Sequence, residues 1–170
     1  MLKLIALHGP AGSGKTSVAR ALQARGYMHI NFSDALKEMA VAALKPTGTH
    51  VTVADMNENK ERYRGFLQSL GEVIGYSDDP KYVYFSLLDW FGEPAVFDNV
   101  RTPQQAETLR GVGFAIVKLE CPAWVSEFRR PGCLEHMGHP AEQPLPDSLI
   151  DYRVNASLSL DLVMRQVMGL

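Results

Sequence analysis

Eight consecutive residues, Gly9-Pro10-Ala11-Gly12-Ser13-Gly14-Lys15-Thr16, match the pattern G-x-x-x-x-G-K-[ST] in full. Phosphate binding requires that order. Glycines let successive backbone N–H groups converge on phosphate oxygens, and a helix opening at the end of the loop aims its positive pole at the same point. Ala11, Gly12, Ser13, Gly14, Lys15, Thr16 and Ser17 are therefore the expected cradle of a nucleoside triphosphate, with Lys15 reaching its β- and γ-phosphates. The Thr16 hydroxyl is placed to ligate Mg2+. The alternative, a glycine-rich turn with an accidental lysine, does not explain the context: an apolar run precedes the loop and a helical pattern follows it.

Transfer of a phosphoryl group is mostly positioning and charge stabilisation, so cations and a metal are the parts to look for, not a covalent nucleophile. Arg64 and Arg101 are the candidates for gripping an acceptor phosphate, since a guanidinium binds phosphate bidentately. A surface role for Arg64 beside Gln68 or Glu61 is the other reading. Asp98 ends a buried run, where ligands bind in open α/β sheets, and can hold a Mg2+-bound water or a substrate hydroxyl; its alternative is a cap on the next turn. Arg129-Arg130 opens a stretch to Pro146 loaded with Pro, Gly and His, which reads as a long loop or lid. Arg130 can close over donor phosphates there or sit in a solvated turn. Cys121, Cys133, His136 and His139 have the spacing C-x11-C-x2-H-x2-H, which departs from the usual zinc pairs. Trp90, Trp124 and Tyr84 read most simply as core or rim aromatics.

The elements that must position these residues alternate between strand and helix, which predicts a parallel sheet flanked by helices. Strands are expected at Lys3 to His8, Tyr27 to Phe32, Ala95 to Asp98, Phe114 to Leu119 and Tyr152 to Val154. The helix after the loop stops near Gly26, and a second, capped by Ser33 or Asp34, runs from Ala35 to Leu44. Thr47 to Asn59 has no clear period and reads as a mobile insertion. An amphipathic helix follows, with Tyr63, Phe66, Leu67, Leu70, Val73 and Ile74 in one stripe beside Arg64, Gln68 and Glu72. Asp79-Pro80 opens a helix toward Gly92, and Thr102-Pro103-Gln104-Gln105 has a capping-box pattern opening one toward Gly111. A last helix runs from about Leu158 to Met168.

The whole chain of 170 residues fits one domain with a buried core. Its formal charge of -2 argues against a dedicated nucleic-acid binder, although a local basic groove stays open. Two cysteines make no disulfide framework, no apolar run reaches the length of a membrane span, and the apolar N-terminus is short for a signal peptide. An intracellular location is the expectation. No N-K-x-D guanine signature occurs, since Asn59-Lys60-Glu61 lacks the aspartate, and the length is small for a motor or AAA-type ATPase.

Several segments beyond the loop carry a family resemblance. Tyr63-Arg64-Gly65-Phe66-Leu67-Gln68-Ser69-Leu70-Gly71 resembles the R-x-x-L-Q-x-L-G helix of phage-type deoxynucleoside monophosphate kinases. Asp98-Asn99-Val100-Arg101 is similar to their D-x-R segment, with Asn99 as one residue more. His139-Pro140-Ala141-Glu142 with Leu145-Pro146, Asn155-Ala156-Ser157-Leu158 and Phe32-Ser33-Asp34-Ala35-Leu36-Lys37 resemble further elements of that family, in the right order. The resemblance implies a P-loop NTPase fold like that of nucleoside monophosphate kinases, with about five parallel strands flanked by helices. It implies a substrate-covering insertion at about 45–92 and a lid-like loop at about 129–146. The implied reaction is transfer from ATP, with Mg2+, to a (deoxy)nucleoside monophosphate. Ser33, Lys37, Arg64, Gln68, Asp98 and Arg101 would meet the acceptor, and Lys15, Arg64, Asp98, Arg101 and Arg130 would carry catalysis. The implied setting is the cytoplasm of a bacterium or a phage-infected bacterial cell, with a homodimer left open. Related phage kinases act on 5-hydroxymethyluracil in DNA, which gives a second expectation; a nucleotide-binding regulatory module without kinase activity is a third.

Overall fold

The computed structural model describes residues 2–133 and 143–170. Strands β1 (Leu4–His8), β2 (Met28–Asn31), β3 (Ala95–Asp98), β4 (Ala115–Glu120) and β5 (Tyr152–Asn155) form one sheet in the order β2-β3-β1-β4-β5. Every pairing in it is parallel. Helices α1 (Lys15–Gln23), α2 (Phe32–Leu44), α3 (Val53–Glu58), α4 (Lys60–Val73), α5 (Pro80–Ser86), α6 (Pro103–Val112), α7 (Ala123–Arg129) and α8 (Leu160–Met168) complete the described chain.

Alternation along the strands builds two cores. Ile5, Leu7, Val96, Val117 and Val154 pack with Val18 and Leu22 of α1 and Val163 and Val167 of α8. Their neighbours Ala6, Phe97 and Ile116 point the other way, against Tyr82 and Val83 of α5 and Ala106 and Leu109 of α6. Both sheet faces are covered, as a parallel sheet requires. A third cluster holds α2, α3 and α4 together: Ala40, Val51 and Met56 are buried, with Tyr63, Leu67 and Leu70 packed against them. Because β1 and β3 are parallel neighbours in register, the loop that leaves β1 and the carboxylate that ends β3 lie at the same carboxyl end of the sheet.

The local chemistry departs from the sequence expectations in several places. The second helix opens at Phe32, not Ala35, because Asn31 is its cap: its side-chain oxygen accepts from the Ser33 N–H. The insertion after Leu44 is ordered into a 3-10 turn (Lys45–Thr47) and α3. Thr52 and Asp55 cap α3 reciprocally and Met56 is fully buried; six residues are too few to display a period. In α4 the row Tyr63, Leu67, Leu70 is the packed one, whereas Phe66 and Val73 lie toward its edge and Val73 is 85% exposed. Helix α5 stops at Ser86, short of Gly92. Helix α7 has no counterpart among the expected elements; its cap is Pro122, which offers no side-chain hydrogen bond. Two of its aromatics, Trp124 and Phe128, face solvent, so Trp124 is not a core residue.

Candidate active site

The phosphate-binding loop leaves β1 and is wedged between two neighbours. A Cβ on Gly12 would lie 2.6 Å from the Ser126 carbonyl oxygen in α7, and one on Gly9 would lie 2.7 Å from that of Leu119 in β4. Gly12 also has φ +78, a conformation that strains any side chain. Gly12→Ala is therefore expected to cost about 2 kcal/mol or more. It should lower the melting temperature and weaken ATP binding, read by thermal denaturation and nucleotide titration. Gly14 caps α1 in the left-handed region without a side-chain bond, and no acidic residue stands in the first turn. The positive end of the helix thus faces the loop mouth uncompensated by its own side chains. Lys15 Nζ donates to the carbonyls of Gly9 (2.7 Å) and Pro10 (3.0 Å), which holds its charge across that mouth.

Asp98 stands opposite. The Thr16 hydroxyl donates to Asp98 Oδ2 at 3.1 Å, and His29 Nε2 lies 3.4 Å from the same oxygen. His29 pairs with Val96 in the β2–β3 register and so stands diagonally from Asp98. Burial pushes the Asp98 pKa up, but His29, the Lys15 charge and the Thr16 hydroxyl outweigh it and hold the carboxyl below the usual aspartate range. Asp98 Oδ1 is buried and has no hydrogen-bond partner among the described residues. A hydroxyl and a carboxylate with one orphaned oxygen form a hard, oxygen-only donor set, which fits Mg2+. Asp98 is thus tied to the phosphate-binding loop and not to a turn cap.

The acceptor-side expectations divide. Lys37, only 5% exposed, pairs with Asp34 at 2.7 Å, and Asp34 also accepts from Asn31 Nδ2. The Ser33 hydroxyl donates to Asn31 Oδ1. Ser33 and Lys37 thus belong to one network at the β2–α2 junction. Arg101 follows β3: its backbone N–H donates to Gln105 Oε1 at 2.9 Å, and Asn99 Oδ1, in its hydrogen-bonded orientation, accepts from Arg101 Nε (2.8 Å) and Nη2 (3.0 Å). The expected capping box at Thr102 is therefore half formed. Thr102 accepts from the Gln105 N–H, while the Gln105 side chain serves Arg101 and the Ser77 carbonyl instead. Arg64 and Gln68 lie half-buried on α4.

Two residues of the site are absent from the sequence expectations. One is His29, whose partner two strand positions away depends on pairing that no local pattern reveals. The other is Lys60, which lines a cavity of about 480 Å3 with Asn57, Glu58, Asn59, Arg62 and Arg130. Loss of solvation, and after it the charges of Lys37, Arg130 and Arg20, hold the Lys60 ammonium below the usual lysine range, with Asp98 opposing. Lys60 stands one turn before Arg64 and two before Gln68 on α4, so the spacing is visible in the sequence, but the apolar stripe that marks this helix begins only at Tyr63. Arg130 joins this cavity, whereas Arg129 is tied to the carbonyls of Ala156 (2.7 Å) and Leu158 (3.0 Å) at the entry to α8. His136 and His139 lie outside the described residues, and no group of three metal-ligating side chains occurs among those described.

A buried histidine links these parts. His8, the last residue of β1, has Nδ1 2.9 Å from the Val100 carbonyl and Nε2 3.2 Å from the Leu145 N–H. A carbonyl only accepts and an amide N–H only donates, so the ring carries its proton on Nδ1.

No family model matches the chain. A UPF0200 protein of Pyrobaculum aerophilum is 31% identical over 112 residues, 64% of this chain and 52% of that protein, so the chain spans about half the length of the curated relative it matches. Among solved structures, a gluconokinase from Sinorhizobium meliloti superposes with TM-score 0.54 at 23% identity, covering 98% of this chain and 89% of that one. A sugar kinase from Janibacter gives 0.58 at 14% identity, with 97% and 91% covered. A shikimate kinase from Bacteroides thetaiotaomicron gives 0.53 at 16%, with 98% of both chains covered. These likenesses are of fold, a parallel sheet flanked by helices. In this P-loop fold the five-stranded parallel sheet carries the loop and Asp98 on adjacent strands, and among the described residues no helix is long and apolar enough to cross a membrane.

Proposed function

We propose that the chain is an ATP- and Mg2+-dependent phosphotransferase whose acceptor is a (deoxy)nucleoside monophosphate, converted to the diphosphate. The observation that carries this reading is the gathering of cations, more numerous than carboxylates among the described residues, beside the phosphate-binding loop. Lys60, Arg62 and Arg130 line one cavity with Glu58 as its acidic residue. The charges of Lys37 and Arg20 reach Lys60, and that of Lys15 reaches Asp98. Like charges this close repel, and a ligand that brings anions between them is bound the more strongly for it. A triphosphate answers the Lys15 side, and an acceptor with its own phosphate answers the Lys60 side. A neutral acceptor would bring no charge to the second cluster.

In this reading the backbone of Ala11 to Ser17 binds the donor phosphates and Lys15 offsets the charge that builds on the transferring group. Thr16 and Asp98 would hold Mg2+, which when bound neutralises phosphate charge across donor and transferred group. Arg64, Arg101 and Lys60 orient the acceptor, and no general base is needed because a phosphate oxygen is already anionic near pH 7. The chain would act as one domain, with residues 45–92 covering the acceptor and Arg130 meeting the donor. Lys60→Ala should raise the acceptor KM about 10- to 100-fold, the loss of one charge-assisted bond, and leave the ATP KM nearly unchanged.

One observation favours a second reading, a hydroxyl acceptor such as 5-hydroxymethyluracil in DNA. Asp98, held ionised beside His29 and with Oδ1 unpartnered, could take up the proton such an acceptor releases. A product screen by mass spectrometry with ATP, Mg2+, the deoxynucleoside monophosphates and modified DNA separates the two. Diphosphate formation is the expected result. Turnover of the DNA alone would favour the hydroxyl acceptor, and ATP binding without transfer to any acceptor would reduce the protein to a nucleotide-binding regulatory module.

A further inference from the structure

The segment that connects Asp98 to Arg101 is pinned on both sides of Asn99. Asp98 is held by Thr16 and lies beside His29. The Val100 N–H donates to the Leu7 carbonyl (2.9 Å), and its own carbonyl is 2.9 Å from His8 Nδ1. The Arg101 N–H is taken by Gln105, which is 1% exposed and anchored in turn on the Ser77 carbonyl. Between them Asn99 has φ 79, and among the described residues it is the one non-glycine residue with positive φ. Asparagine tolerates that conformation better than most side chains, and such strain concentrates where function needs a fixed geometry.

The conformation has a visible consequence. It brings the Asn99 amide oxygen onto the guanidinium two residues later, with both Nε and Nη2 of Arg101 in hydrogen-bond range, at 2.8 and 3.0 Å. Two bonds to one acceptor lock the last torsions of a side chain that otherwise has many rotamers, and ordering an arginine at the moment of binding is costly. The choice of amide also matters. A carboxylate at the same place would hold the guanidinium equally well but bring an opposing charge; a carboxamide orients it without one.

We propose that Asn99 is a positioning residue that presets the Arg101 guanidinium for the acceptor phosphate, and that it is an amide so that this contact adds no opposing charge. The inference rests on the proposed role of Arg101 at the acceptor. It also accounts for the additional residue between Asp98 and Arg101, because the backbone turns there through a left-handed residue whose side chain holds the arginine.

Two variants of the full chain test it. Asn99→Gly keeps the positive φ without strain and removes the amide; Asn99→Asp keeps an acceptor oxygen and adds a charge. The Arg101 Nε–H signal in 15N NMR, assigned through Arg101→Lys, should be ordered and slow to exchange in the parent and in Asn99→Asp, and less ordered and faster to exchange in Asn99→Gly. With ATP and a panel of deoxynucleoside monophosphates, both variants should raise the acceptor KM on the order of tenfold, with kcat and the ATP KM little changed. An Nε–H that is equally ordered in Asn99→Gly would overturn the positioning role. So would an unchanged acceptor KM in both variants alongside a raised one in Arg101→Lys. If the NMR pattern is as expected but no monophosphate is phosphorylated by the parent, the preset orientation stands and the acceptor assignment is overturned.

Discussion

Lys15→Ala is expected to remove about 10²- to 10³-fold or more of the phosphotransfer rate while leaving the fold in place, the scale set by losing one preorganised charge at the transferring group. The ammonium donates to the Gly9 and Pro10 carbonyls of its own loop. Alanine is the best helix former and enters at the first residue of α1, and Lys15 is not part of either apolar core. Removing it also takes away one of the influences that hold Asp98 ionised. Initial rates of ADP release, with circular dichroism and thermal melting as controls, read the result. A variant that retains a tenth of the parent rate would sink the assignment of Lys15 to the donor phosphates.

Asp98→Asn should be nearly as damaging to turnover, by about 10²-fold or more, for a different reason. The shape is kept and the Thr16 hydroxyl can still donate to an amide oxygen, but the carboxylate charge facing Lys15 and His29 is gone. The rate should fall and the Mg2+ concentration needed for half-maximal rate should rise. If added Mg2+ leaves the deficit unchanged while the acceptor is a hydroxyl, Asp98 acts as a base and not as a metal-holding group. The stability consequence has a defined sign. Because the folded carboxyl titrates below the unfolded one, its ionised form stabilises the parent above the ordinary aspartate range, and that contribution fades as the pH falls through the lowered value. The stability gap between parent and Asp98→Asn, measured by urea unfolding, should therefore narrow toward acid. A gap that widened there would contradict the direction of the shift.

How much of this can be read from the chain depends on how local each signal is. The phosphate-binding loop needs only its own eight residues and the elements touching it, and β1, β3 and β4 are legible because each is a largely apolar run bounded by turns. Asp98 is legible because it ends such a run. His29 is not: its meaning comes from β3 lying between β2 and β1, a matter of sheet order. Helix α7 escapes because it is two turns long, lacks a side-chain cap and leaves Trp124 and Phe128 in solvent, so it has no inward stripe to detect. Ser33 and Lys37 are expected from sequence to meet an acceptor, but their observed partners are Asn31 and Asp34, a junction network that orients the start of α2. Arg129 and Arg130 are adjacent in sequence and part company in space, since the guanidinium of the first is tied to the turn before α8 and the second lines the Lys60 cavity.

The imidazole of His8 offers a different kind of probe. Its two nitrogens join stretches of chain 92 and 137 positions away, and the Leu145 amide hydrogen is given to a ring and not to a carbonyl of any strand. That hydrogen can be traded for deuterium only when the segment entering at Leu145, a residue 3% exposed, lifts from the end of β1. A single backbone signal therefore acts as a clock for the parting of that segment from the strand that carries the phosphate loop. Its rate can be followed without any ligand at all.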